Sequence, residues 1–295
     1  MKPVVASTAY LLISHGSRDP RPQEAMNRLA DLVRSQLEAT LRRHPVELGT
    51  NHLASHLVSN LETEQQVETS SQSTTSLLAT PRLDKLTQVS SEVIVGTACL
   101  ELATLPLSEQ IYKFGTRLQA AGIRELKLLP VFLMSGVHVM EDIPQEIETA
   151  RKQLGESLEL TLCSHLGSHE DISSVLENRL ASIDAEGSVL VAHGSRRKRG
   201  NKAIQGLARR IDAKMKVAYW ATSPDIETQV IELMQQGCQR LTILPYFLFS
   251  GGITDAITHR TEELAERFPK IQFRLLPTLG ATPEVADLIV NLVSA

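Results

Sequence analysis

Short apolar segments alternate along the chain with longer amphipathic segments. Residues 10–14, 93–98, 126–133 and 158–163 are runs of strand length, rich in leucine and β-branched residues. Between the strand-like runs, apolar residues recur at spacings of three and four, as in the segment from Ala25 to Leu37, which is typical of an amphipathic helix. This alternation predicts an α/β fold built on a parallel sheet.

The same order of segments returns in the second half of the chain. Residues 11–18 read LLISHGSR and residues 189–196 read VLVAHGSR. A second pair of landmarks follows, LPVFLMSG after position 128 and LPYFLFSG after position 243, and a third pair matches LGS at 166–168 with LGA at 279–281. Three matched landmarks in one order indicate an internal duplication. We therefore predict two tandem domains, each a four-stranded parallel sheet flanked by helices.

An insertion distinguishes the first copy from the second. The His-Gly landmarks lie 178 residues apart, whereas the Phe-Leu landmarks lie only 115 residues apart. The extra residues form a Ser-, Thr- and Gln-rich, low-complexity stretch at about 49–91 that lacks apolar periodicity. In an open α/β sheet this stretch would lie opposite the edge where ligands bind, so we expect no catalytic residue in it. The predicted domains are residues 1–185 and 186–295.

Composition narrows the functional classes. A chain of 295 residues with 42% hydrophobic and 22% charged residues can form two globular cores. The net charge of −4 gives no sign of a nucleic-acid partner. No apolar stretch has the length of a membrane span or of a signal peptide. We therefore expect a cytoplasmic protein without nucleic-acid or membrane partners.

Three side chains that can bind a metal follow successive strands of the first copy. They are His15, Glu101 and His138. A single histidine at a strand end is more often a hydrogen-bonded loop residue, but three such groups at one edge of a sheet favour a site. Two imidazoles and a carboxylate, with coordination positions left open, suit a divalent first-row metal that must be held and also released.

The second copy has lost most of this set. His193 remains, but Ile253 occupies the position that matches His138. The position that matches Glu101 falls on Tyr219 or Trp220. The sequence therefore predicts a metal site in the first copy only, beside a degenerate second copy.

Hydroxyl, imidazole and basic side chains are concentrated at the same two loops. The candidates for ligand binding are Ser17, Arg18, Arg21, His193, Arg196, Arg197, Lys198 and Arg199. The run at 196–199 ends a strand and precedes a helix, which is a favourable place for carboxylates or phosphates. A polyanionic ligand is the functional interpretation, and an ordinary solvated surface is the alternative.

The matched motifs resemble a known family. The HGSR strand ends, the LELA turn at 100–103, the LPxFL strands and the GVHVMEDIP loop at 136–144 are similar to the class II tetrapyrrole chelatases, in particular the long two-domain sirohydrochlorin chelatases of the CbiX/SirB type. The resemblance covers nearly the whole chain except the insertion. It implies two flavodoxin-like domains that insert Fe²⁺ or Co²⁺ into sirohydrochlorin, on the way to siroheme or cobalamin. The metal would be a substrate, with no tightly bound cofactor.

The resemblance also implies roles for individual residues. His15 and His138 would bind the metal, and Glu101 would lie near them. Metal insertion releases two pyrrole protons, so we expect the two histidines to share metal presentation and proton acceptance, and Glu101 to transfer protons or act as a third ligand. Arg18 and the run at 196–199 would hold the acetate and propionate groups of the ring.

Two alternative functions follow from the same residues. A non-catalytic tetrapyrrole or metal carrier could use the same pocket. A histidine phosphatase also places a histidine at a strand end, but it needs an arginine directly before His-Gly, where this chain has Ser14 and Ala192. A chelatase therefore remains the favoured interpretation.

Overall fold

A computed structural model of the chain describes residues 8–43, 93–195 and 198–294. The side chains at positions 43, 198 and 199 are not part of this description. The predicted insertion at about 49–91, and Arg196 and Arg197 of the basic run, lie outside the described residues. None of the described helices is long and apolar enough to cross a membrane.

The first half of the chain alternates strands and helices. Its elements are β1 (Thr8–Ser14), α1 (Pro20–Arg43), β2 (Ile94–Cys99), α2 (Leu107–Ala120), β3 (Glu125–Pro130), a π-helical turn (His138–Asp142), α3 (Ile143–Leu154), β4 (Glu159–Leu162) and α4 (Ile172–Leu180). Short 3₁₀ turns cover Gly155–Ser157 and Leu166–Ser168.

The second half repeats this order. Its elements are β5 (Gly187–Ala192), α5 (Lys198–Ile211), β6 (Lys216–Tyr219), α6 (Ile226–Gln235), β7 (Arg240–Pro245), α7 (Gly252–Arg267), β8 (Gln272–Leu275) and α8 (Pro283–Ser294). The strands form two four-stranded sheets, in the orders β2-β1-β3-β4 and β6-β5-β7-β8, and every pairing is parallel. The prediction of two four-stranded parallel sheets is confirmed.

The strand register corrects one sequence match. In the first sheet, the backbone N–H of Glu101 donates to the carbonyl of His15. In the second sheet, the N–H that donates to the carbonyl of His193 belongs to Ala221. The counterpart of Glu101 is therefore Ala221, and the match to Tyr219 or Trp220 was wrong by one or two residues. The loss of the carboxylate in the second half still holds.

Four helices form an apolar layer between the two sheets. Leu12 of β1 and Leu190 of β5 point into this layer and belong to one buried cluster. The cluster is completed by apolar side chains of α1, α4, α5 and α8, among them Met26, Leu29, Leu176, Ile204, Leu207 and Ile289. The neighbours of Leu12 in β1, Leu11 and Ile13, point the other way and pack under α2 and α3, because successive strand residues face opposite sides of a sheet.

Polar contacts fix how the two halves meet. The guanidinium of Arg179, on α4, donates to the carbonyl oxygens of Thr278 at 2.6 Å and Leu279 at 2.5 Å. The Tyr246 hydroxyl donates to the Leu133 carbonyl at 3.3 Å. The second contact joins the residue that follows β7 to the loop that follows β3. The carboxyl ends of these two strands therefore lie on the same side of the molecule.

We expect Arg179→Met to lower the free energy of unfolding by about 1–3 kcal/mol, because the carbonyls after β8 lose charge-assisted hydrogen bonds. The measurement is urea unfolding followed by circular dichroism. Arg117→Met is the matched control, since Arg117 is exposed on α2 and its loss should change stability by less than about 0.5 kcal/mol. Equal midpoints for the two variants would show that the Arg179 contacts contribute nothing to stability.

Candidate metal centre

The exits of β1, β2 and β3 bring together His15, Glu101 and His138. One ligand atom from each side chain lies within 4.8 Å of the others. The two imidazole rings are 4.9 Å apart between centroids and nearly perpendicular, at 83°. The Nε2 atom of His15 is 3.9 Å from Oε2 of Glu101. The structure therefore places the three predicted ligands at one point of the sheet edge.

A glycine makes the close approach of two strand exits possible. The backbone N–H of Glu101 donates to the carbonyl of His15 at 2.8 Å. Gly16 has a φ of +100°, and a Cβ atom there would lie 1.9 Å from the carbonyl oxygen of Glu101. Any other residue would have to move one loop away from the other. Gly16 therefore sets the spacing between the imidazole of His15 and the carboxylate of Glu101.

Hydrogen bonds orient both imidazoles. Nδ1 of His138 lies 2.7 Å from Oδ2 of Asp142. A carboxylate only accepts hydrogen bonds, so Nδ1 carries the proton and Nε2 keeps its lone pair for a metal. Nδ1 of His15 lies 3.3 Å from the carbonyl oxygen of Gly16, and by the same reasoning the free lone pair is on Nε2. Both histidines thus present Nε2 to the centre.

The sequence did not identify Asp142 as part of the centre. In the sequence both His138 and Asp142 belonged to the loop at 136–144, with no role given to Asp142. In the structure, His138 and Asp142 are the first and last residues of the π-helical turn that leads into α3. Their spacing of four residues was the available signal, because such pairs meet on one face of a helical turn.

Apolar side chains flank the centre. The ring of Phe132 lies 6.3 Å from that of His15 and 6.4 Å from that of His138. Leu102 and Met140 are exposed at 56% and 65%, although large apolar side chains are usually covered. Leu102 also has a φ of +58°, which is uncommon for a residue with a side chain. Exposed apolar side chains therefore stand next to Glu101 and two residues after His138 in the chain.

The remaining candidates of the first half differ in their surroundings. Ser17 and Arg18 are exposed beside His15. The guanidinium of Arg21 is held by the carboxylates of Asp19 and Asp255, at 2.5 and 2.6 Å. Arg21 lowers the pKa of both carboxyl groups through these hydrogen bonds. Arg21 therefore bridges the two halves through Asp255, and its part in ligand binding stays a prediction.

The second half presents an incomplete version of the site. His193 is exposed at the end of β5, with Nδ1 3.0 Å from the carbonyl oxygen of Gly194. Ile253 packs on the outer core of the second sheet. Among the residues that the structure describes, His15, Glu101 and His138 form the one group of three potential ligands. Lys198 and Arg199 begin α5, but their side chains are not described.

Comparisons with known proteins agree with this architecture. The sequence model of the CbiX family matches residues 69–183 and 187–295, so His15 precedes the first match. The chain is 22% identical over 213 residues to a sirohydrochlorin cobaltochelatase of Priestia megaterium, covering 68% of each chain. It is 22% identical over 180 residues to a sirohydrochlorin ferrochelatase of Bacillus subtilis, covering 58% of this chain and 68% of the relative.

A solved structure supports the fold as well. SirB from Bacillus subtilis with Fe³⁺ superposes with a TM-score of 0.66 at 17% identity, covering 98% of this chain and 94% of that one. At this identity the likeness shows the fold alone. The two tandem chelatase-like domains implied by the sequence are therefore confirmed.

Replacing Gly16 by alanine should weaken metal binding, because the added Cβ drives the β1 and β2 exits apart. We expect the dissociation constant for Co²⁺, measured by its visible absorption, to rise at least about tenfold, with a stability loss of about 1–3 kcal/mol. Gly136→Ala is the matched control: it lies in the β3 exit loop, and a Cβ there meets nothing within 4 Å. Unchanged Co²⁺ affinity in a folded Gly16→Ala protein would contradict the proposed spacing role.

Asp142→Ala should raise the dissociation constant for Co²⁺ by about 10- to 100-fold, because His138 loses the group that fixes its tautomer and ring orientation. Asp142→Asn keeps an acceptor oxygen and should fall between wild type and alanine. The control is Glu148→Gln, which removes a carboxylate exposed on α3 that pairs with Arg151. If both Asp142 variants bound Co²⁺ as wild type does, the carboxylate would have no part in orienting His138.

Proposed function

The chain belongs to the CbiX family, and from this premise we propose that it is a sirohydrochlorin chelatase, an enzyme that inserts a divalent metal ion into the metal-free ring. The observation that carries the proposal is the group of His15, Glu101 and His138, with ligand atoms within 4.8 Å of one another on an open sheet edge. The names of the relatives support the same substrate. Each turnover consumes one metal ion and one ring, and releases two protons.

The ligand set suits a metal that is passed on rather than kept. Two imidazole nitrogens and one carboxylate oxygen leave coordination positions open to the ring nitrogens. His15 and Glu101 are half exposed, at 51% and 50%, so a flat substrate has access to them. Nitrogen and oxygen ligands of this kind accept both Fe²⁺ and Co²⁺. We therefore propose Fe²⁺ or Co²⁺ as the metal substrate, without a resident cofactor.

The hydrogen bonds suggest a division of labour between the histidines. The Nδ1–H of His138 is committed to Asp142 at 2.7 Å, so Nε2 is a fixed lone pair and we assign His138 to hold the metal. His15 has a carboxylate oxygen of Glu101 3.9 Å from Nε2. Imidazole and carboxylate can both take up protons as the pyrrole N–H bonds break. We assign this pair to accept the protons once the metal has passed to the ring and left Nε2 of His15 and the carboxylate of Glu101 free.

The protein would contact both the flat face of the ring and the acidic groups at its periphery. Leu102 and Met140 offer apolar surface beside the ligands, which suits the face of a macrocycle. Ser17, Arg18, His193 and the run from Arg196 to Arg199 remain our candidates for its acetate and propionate groups. We place the chemistry in the first domain, 1–185, and regard the second, 186–295, as a degenerate copy that helps to enclose the ring.

His15→Ala and His138→Ala should each slow metal insertion by about 10²- to 10⁴-fold, because each removes a group that touches the metal or the leaving protons. His193→Ala should retain substantial turnover, since Ala221 and Ile253 leave that half without other ligands. The measurement is anaerobic formation of the metallated product, followed by absorbance with Fe²⁺ and with Co²⁺.

Two outcomes would change the proposal. If His193→Ala were as inactive as His15→Ala, the metal would have to be shared between the two halves. If the wild-type protein bound both the ring and the metal but formed no metallated product, the protein would be a carrier.

A further inference from the structure

A cavity of about 550 Å³ lies between the two domains. One wall consists of the loops that follow β3 and β4, and the other consists of α5 together with Tyr246. Leu133, Met134 and Ser135 of the first wall directly follow Phe132, whose ring lies 6.3 Å from that of His15. The cavity and the metal centre therefore lie on two sides of the same loop.

Two nitrogen-rich side chains line this otherwise largely apolar cavity. They are His165, which is half buried, and Arg210, which is exposed on α5. Within the described part of the chain, neither side chain makes a hydrogen bond or an ion pair. Burial lowers the pKa of His165, so its imidazole is neutral near pH 7 and offers one N–H. Arg210 offers a charged, planar fork of donors that matches a carboxylate.

The internal duplication provides a comparison within the molecule. The matched landmarks pair Arg210 with Leu32 of α1, and His165 with Thr278 of the loop after β8. Leu32 packs against the core shared by the two domains, and the Thr278 carbonyl accepts a hydrogen bond from Arg179 at 2.6 Å. The two basic groups are thus not a requirement of the fold, because the equivalent side of the interface is built without them.

We propose, building on the proposed function, that this cavity is a carboxylate-binding subsite for one edge of the macrocycle. Arg210 pairs with an acetate or propionate group of the ring, and the imidazole N–H of His165 donates to the same group or to its neighbour. Leu133 and Met134 contact the apolar ring edge. A ring centred over His15 and His138 would extend across the loop that follows β3, so an anchor in the cavity adds to the affinity for the ring.

The test compares Arg210→Met with Arg209→Met, two neighbouring exposed arginines of α5, of which only Arg210 lines the cavity. The probe is metal-free sirohydrochlorin, titrated by absorbance and fluorescence, and Co²⁺ affinity and insertion kinetics are measured alongside. We expect Arg210→Met to weaken ring binding and raise KM by about 10- to 100-fold, the range of a lost charge-assisted hydrogen bond. Co²⁺ affinity and kcat should stay within about twofold of wild type, as expected for uniform binding.

Further measurements distinguish this proposal from the alternative explanations. Arg210→Lys should restore part of the affinity, and the methyl-esterified ring should bind wild type and Arg210→Met equally. Equal ring affinity for the Arg209 and Arg210 variants would overturn the subsite. The subsite would also be overturned if the affinity for inorganic phosphate depended on Arg210 and the affinity for the ring did not. If wild type formed no metallated product yet bound the ring through Arg210, the subsite would stand and the proposed chelatase activity would fall.

Discussion

The apolar helix layer between the two sheets is the constraint on which the rest of the structure depends. Leu12 and Leu190 belong to the same buried cluster, so neither sheet can turn relative to the other without exposing apolar surface. Within this packing the first turns of α1 and α7, which follow β1 and β7, meet, as the contact between Arg21 and Asp255 shows. The metal centre and the cavity between the domains owe their proximity to that arrangement.

Patterns that repeat along the chain predicted most of this architecture. Strand-length apolar runs and three matched landmarks were sufficient for two parallel sheets and for the meeting of His15, Glu101 and His138. The failures concern side chains whose partners are remote or depend on local geometry. The counterpart of Glu101 was misplaced because residue type does not fix register, whereas the backbone bond to Ala221 does. The ion pair between Arg21 and Asp255 was not foreseen because the two residues are 234 positions apart in the chain.

A comparison of the two halves shows which residues the fold requires and which belong only to the metal centre. Gly16 and Gly194 both follow a strand-end histidine with positive φ, at +100° and +81°. A Cβ at Gly194 would lie 2.7 Å from the Cβ of Tyr219, so the second half needs the tight turn although it has lost the metal ligands. The glycine therefore serves the backbone in both copies. Only the first copy adds a carboxylate and a second imidazole, so the shared fold does not require those two groups.

The exposure of the three ligand groups agrees with the proposed function, which is to pass a metal ion to a ring. A structural metal site is closed by four protein ligands, and its metal does not leave. Here three ligand groups stand at an open edge, and His15 is 51% exposed, so the protein surrounds only one face of a metal. In the proposed reaction the other face would be taken by ring nitrogens, whose four-fold coordination can outcompete three protein ligands. The hydrogen bond from His138 to the carboxylate of Asp142 fixes the orientation of the imidazole. This orientation matters because a metal that the protein encloses weakly is positioned by the direction of the ligand lone pairs. Weak enclosure and firm orientation together are what a metal donor needs.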